Sequence, residues 1–176
     1  ANNGDAVSEW RDLSGNGYHI AQSVAARQPI YNATTWTGSK ATITFNGVDH
    51  GLVISGMNWQ TYTIGMAVRH NNVSGVRALL TKRPAVSASF FWFIYNTTSG
   101  SFNWDQNGGR YNTSFIPAAA TDYIYILVRP LAGSNRSQYV NGTINGTTSA
   151  NSDSLNSDTL TVGNDYSASN RGAFSN

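Results

Sequence analysis

The feature that most constrains this chain is side-chain alternation with a period of two. Tyr62, Ile64, Met66 and Val68 alternate with Thr63, Gly65, Ala67 and Arg69, as in a strand with one face in a core and the other in water. The same rhythm runs through residues 41–46, where Ile43 and Phe45 alternate with Thr42 and Thr44. Residues 123–129 are apolar on both faces until Arg129 and Pro130 stop them. Shorter strands are expected at 7–10, 18–22, 51–54, 78–81, 90–95, 100–104, 109–112, 136–140, 143–145 and 160–163. Helical periodicity is almost absent. Its best candidates, 22–27 and a turn around 117–121, are too short to organise a core.

Turn chemistry separates these segments. Val140-Asn141-Gly142-Thr143 places Asn-Gly between β-formers, which supplies the two φ > 0 residues of a type I′ hairpin. Ser14-Gly15-Asn16-Gly17, Phe45-Asn46-Gly47 and Asn107-Gly108-Gly109 are further breaks. About a dozen short strands in 176 residues imply one all-β domain, a sandwich or barrel, spanning 1–176. The Ser/Thr/Asn/Gly-rich stretch 141–158 reads as loops between strands.

Composition sets the kind of surface. Charged residues are only 11%, less than half the usual ~25%. Asn, Ser and Thr number 20, 20 and 17 and fill the polar positions instead. With no Cys there are no disulfides, thiolate zinc sites or cysteine nucleophiles. The 9 Arg and 2 Lys are dispersed, which argues against nucleic acid as a partner. No apolar run reaches the length of a membrane-spanning helix.

One expected strand departs from alternation. Phe90-Phe91-Trp92-Phe93-Ile94-Tyr95 carries large apolar residues at every position, whereas a sandwich strand has one core face. Its second face therefore calls for cover from a loop, a partner or a ligand.

Four motifs in order carry a family resemblance. Val7-Ser8-Glu9-Trp10-Arg11-Asp12-Leu13-Ser14-Gly15-Asn16-Gly17 resembles the W-x-D-x-S-G-N-G opening of concanavalin A-like, laminin G-like jelly-roll domains. Thr44-Phe45-Asn46-Gly47-Val48-Asp49 resembles that family's F-D-G-x-D element, with Asn46 in place of the first Asp. Ser137-Gln138-Tyr139-Val140-Asn141-Gly142 and Leu160-Thr161-Val162-Gly163 are similar to its late Y-V-N-G hairpin and the following l-x-I-G strand. The resemblance implies a two-sheet antiparallel jelly roll. In it Trp10 is expected to plug the core, and Asp12 to accept hydrogen bonds from the turn that Gly15 and Gly17 permit. Asp49 is expected to be a turn acceptor rather than a metal ligand. The family's last strand is only begun here, at Arg171-Gly172-Ala173-Phe174-Ser175-Asn176. The expectation is therefore a sandwich lacking that strand, either cut from a longer polypeptide or completed by another chain.

The resemblance leaves three functions open. The first is a non-catalytic carbohydrate-binding, lectin-like module, placed outside the cell, on a cell surface or on a virion, with a glycan or polysaccharide as partner. The second is a structural module of a phage tail, fibre or capsid that packs against neighbouring chains. The third and weakest is a glycosidase.

Paired carboxylates are what glycosidase chemistry needs. This chain has one Glu, Glu9, and no two acids fewer than three positions apart, so no catalytic residues are assigned. Asp105 with Asp122 would be a pair assembled from a distance. His19, His50 and His70 stand apart in sequence and read as surface or turn residues. Calcium is common in lectins of this fold but wants several acidic oxygens; no loop clusters acids, and no cofactor or metal is expected. Seven Asn-x-Ser/Thr sequons occur, against about four from composition alone. Sugar recognition needs aromatic faces with amide, carboxylate or guanidinium groups beside them. Residues 90–111 concentrate both, and the candidate ligand residues are Trp92, Tyr95, Trp104, Asp105, Asn107, Arg110 and Tyr111.

Overall fold

A computed structural model describes residues 1–36, 39–59, 61–71, 73, 76–83, 91–96, 101–106, 109–130, 135–148 and 155–163, with 91–96, 101–106 and 109–112 placed by their backbone pairing. In chain order the strands are β1 Glu9–Trp10, β2 Ile20–Ala21, β3 Ile30–Trp36, β4 Lys40–Thr44, β5 Leu52–Trp59, β6 Tyr62–His70 and β7 Val76–Arg83. They continue as β8 Phe91–Asn96, β9 Ser101–Gln106, β10 Gly109–Asn112, β11 Thr121–Arg129, β12 Arg136–Val140, β13 Thr143–Thr148 and β14 Leu155–Val162. One sheet runs β1-β2-β5-β14-β7-β8-β9-β10, a second runs β13-β12-β11-β6, and β3 pairs with β4 alone. All these pairings are antiparallel.

The two large sheets pack face to face. Leu79, Leu80 and Leu160 of the first meet Val68, Tyr123, Tyr125, Leu127 and Val140 of the second, with Phe45 at one side. The chain is thus the all-β, two-sheet antiparallel sandwich that alternation implied. In β11 the rule is visible residue by residue: Tyr123, Tyr125 and Leu127 are buried, while Ile124 lies 54% exposed on the other face. Burying side chains of this size contributes roughly 1.5–3 kcal/mol each.

The turns form by the expected chemistry. Val140 stands opposite Thr143, and Asn141 and Gly142 take φ of 50° and 82°, the left-handed pair a type I′ turn requires. Asn141 is tied to the next strand as well: its Oδ1 accepts from the Ile124 N–H at 2.8 Å and its own N–H donates to the Ile124 carbonyl at 2.9 Å. Asp12 accepts from the Ser14 N–H and hydroxyl at 2.8 Å each and from the Tyr18 N–H at 3.0 Å. These bonds hold its carboxyl below the usual aspartate range. At the second turn the organiser is Asn46, whose Oδ1 accepts from the N–H groups of Val48, Asp49 and His50 at 2.9, 3.1 and 3.0 Å. Asp49 accepts from the Asn46 Nδ2 at 2.8 Å, consistent with a turn role.

Several expectations need correction. Trp10 does not plug the core; it is 51% exposed, because β1 is a two-residue strand at the outer edge of its sheet. The 22–27 segment forms only a 3-10 turn, Ala25–Arg27, and 117–120 is not helical. Strand β3 was not anticipated from its polar sequence, Asn-Ala-Thr-Thr. The stretch 141–158 is not simply loop, since β13 and the start of β14 lie within it. The expected last strand, at 171–176, lies outside the described residues.

Candidate functional site

Strands β8, β9 and β10 form consecutive hairpins at one end of the larger sheet, with β10 as its edge. Three of the chain's aromatic-rich segments pair directly there. Trp92 stands opposite Asp105, and Asp105 opposite Arg110. Phe93 stands opposite Trp104, and Trp104 opposite Tyr111, while Tyr95 faces Phe102.

Directly paired residues share a sheet face and successive residues alternate, so the register assigns each candidate to a face. Core residue Leu80 pairs with Phe93, and Thr81 with Trp92. Positions 95, 104 and 111 therefore fall in the rows on the core side. Positions 92, 105 and 110 fall in the row on the opposite side. By register, positions 92, 105 and 110 form one cross-strand row and positions 95, 104 and 111 fall in rows of the other parity, while Asn107 lies outside the described residues. Two further positions share the outer face, Asn103 and Asn112, which pair with each other. Sequence reasoning passed over both, although period two from Asp105 and Arg110 reaches them.

Toward the middle of the sheet the outer row continues through Thr81 and Thr161. These are 1% and 2% exposed, so the sheet's outer face is covered at its centre. The row's other end runs out to the β10 edge.

Asp122 is paired with Arg69 at 3.0 Å across β6 and β11. It belongs to the second sheet, and position 105 to the first. Among the described residues, no cluster of three His, Asp or Glu side chains is placed to hold a metal ion. His70 is not a surface residue as expected. It is 1% exposed, its Nε2 lies 2.8 Å from the Tyr125 hydroxyl, and its ring lies edge-on to Tyr125. Burial lowers its pKa to about 4.

A second polar group sits inside one end of the sandwich. Tyr62 and Arg129 are cross-strand partners, with the guanidinium carbon 5.9 Å from the ring centroid. Burial pushes the Tyr62 phenol up to about 12 against the pull of Arg136 and Arg129. Arg136 and Gln138 are 1% and 0% exposed on the inward face of β12. The signal for all of these was the alternation itself, carried one step further along each strand: 62 to 70, 123 to 129, and back from 140 to 136.

With the geometry in place, comparison with known proteins adds a likeness among solved structures. No family model and no curated protein matches the chain. Among solved structures it is similar to the carbohydrate binding module CBM66 from Bacillus subtilis, at 11% identity and a TM-score of 0.46 over 76% of this chain and 83% of that one.

Proposed function

We propose that the chain is a non-catalytic carbohydrate-binding module of the concanavalin A-like, laminin G-like kind, carried on a secreted or surface-displayed protein. It binds a glycan on the outer face of β8–β10. The observation that carries this reading is the cross-strand row Trp92–Asp105–Arg110. Strands lie about 4.8 Å apart, so the row spans roughly 10 Å. Within that distance it offers an indole for the apolar face of a pyranose and a carboxylate and guanidinium for its hydroxyls. The Asn103 and Asn112 positions extend the row with amides. The residue types in the row suit binding and supply no second carboxylate for glycosidic cleavage.

The test is a glycan array on the native chain, followed by affinity measurements on Trp92→Ala, Arg110→Ala and Trp104→Ala with circular dichroism as the fold control. Trp92→Ala and Arg110→Ala should each weaken binding by about tenfold or more, roughly 1.4 kcal/mol. Trp104→Ala, on the core side of the register, should lower stability instead. Unchanged affinity in both outer-row variants removes this site, and a native chain that binds no glycan removes the function.

A further inference from the structure

Strand β11 is apolar on both faces, and only one of them is core. Tyr123, Tyr125 and Leu127 point inward. Ile124, Ile126 and Val128 point outward, where a sandwich strand ordinarily carries polar residues. The strands beside β11 extend this patch. One cross-strand row on the outer face of the second sheet runs Ile144–Tyr139–Ile126–Gly65, from β13 to β6. On one side of it Ile124 stands opposite Ala67, and on the other the row is Thr147–Ser137–Val128–Thr63. Ile124 and Ile144 are each 54% exposed, and Tyr139, Ile126 and Val128 are half-buried. Exposed apolar side chains gathered on one face mark an interaction surface, whereas scattered ones do not.

This face is complementary to itself. Tyr139 and Ile144 make a ridge on β12 and β13, and Gly65 and Ala67 leave a trough on β6. Nothing lies within 4 Å of where a Gly65 Cβ would stand. Consider a two-fold axis lying in the interface, parallel to the strands and between β11 and β12. It sets β13 of one copy on β6 of the other, and β12 on β11. Because Ile144, Tyr139, Ile126 and Gly65 share one row, Ile144 falls over the partner's Gly65 and Tyr139 against the partner's Ile126. Charge agrees with shape. The charged residues of the face are Arg69 and Asp122, paired with each other at 3.0 Å. The same axis brings them beside the uncharged β12–β13 turn of the other copy and not onto like charges. Strand spacing and rise make the face roughly 20 Å on a side, about 400 Å² per copy. That is about half of the ~800 Å² per partner in a standard interface, so association is weak and reversible.

We propose that this face is a homodimer interface, closed by two-fold symmetry, with Ile144 seated in the trough at the partner's Gly65. It lies on the opposite side of the sandwich from β8–β10, so its test is independent of glycan binding. Sedimentation equilibrium of the full chain decides it. The chain should be monomeric near ~1 µM and at least half dimeric by ~1 mM, with nothing larger, since an isologous contact closes at two. Ile144→Asp and Ile124→Asp should each weaken association by about tenfold or more. Both side chains are half-exposed, so circular dichroism should be unchanged. Gly65→Leu separates specific docking from general stickiness. It adds apolar surface yet should weaken association by about tenfold, because it fills the trough, and adding Ile144→Ala to the same chain should recover most of the loss. A native chain still monomeric at the higher concentration overturns the proposal, as do Asp variants that associate like the native chain. Tighter association in Gly65→Leu, or species beyond the dimer, overturns it as well.

Discussion

Acidification from pH 7 to 4 should remove about 3 kcal/mol of stability through His70 alone. Its ring is 1% exposed and borders the Tyr125 hydroxyl, and burial lowers its pKa from 6.5 to about 4. In the unfolded chain the imidazole takes a proton near pH 6.5; in the folded one it does so only near 4. Unfolded molecules therefore bind more protons throughout that interval, and stability falls as pH falls through it. The effect levels off below about 4, where both states are protonated. A difference of roughly 2.5 pKa units at 1.36 kcal/mol each gives about 3 kcal/mol, a large share of the ~5–15 kcal/mol that holds an ordinary domain together. Urea unfolding at pH 7 and 4, followed by tryptophan fluorescence, measures the loss in the native chain and in His70→Asn. The comparison of slopes is decisive, because carboxylates such as Asp12 contribute equally to both proteins. His70→Asn should be less stable at pH 7 and lose about 3 kcal/mol less on acidification. Equal losses in the two proteins, or a His70 titration near 6.5 by NMR, would refute the argument.

Two backbone predictions follow from local geometry. Gly163→Ala should cost about 3 kcal/mol, because φ is 87° and a Cβ would overlap the buried Phe45 ring; an unchanged melting temperature would contradict the packing of that glycine. Gly142→Ala, with φ 82° and open space around it, should cost only about 1 kcal/mol of left-handed strain, and calorimetry of the two variants should preserve that order.

Much of the fold can be read from single strands. The alternation at Tyr62–Val68 locates β6, Asn141-Gly142 locates the β12–β13 hairpin, and Asp12 with its two glycines locates the first turn, because each depends on neighbours a few residues away. Strand β3 is different. Its Asn-Ala-Thr-Thr centre has no apolar rhythm, and it is a strand because β4 is there to pair with it through Asn32–Thr42 and Tyr31–Ile43. Trp10 fails in the other direction: a residue type that favours cores is exposed because its two-residue strand lies at the sheet's margin.

The candidate site divides along the same line. Sequence concentrated Trp92, Trp104, Asp105 and Arg110 in one short region and showed no closely spaced carboxylate pair. Sequence by itself thus determined an all-β chain with an uncharged polar coat. Only the tertiary structure decided which of those residues share a face, since that depends on register, and a slip of one residue would exchange Trp104 for Asp105 beside Trp92. It also decided that β4 and β6 line one cavity. Pairing between strands far apart in sequence sets both, and no local pattern encodes it.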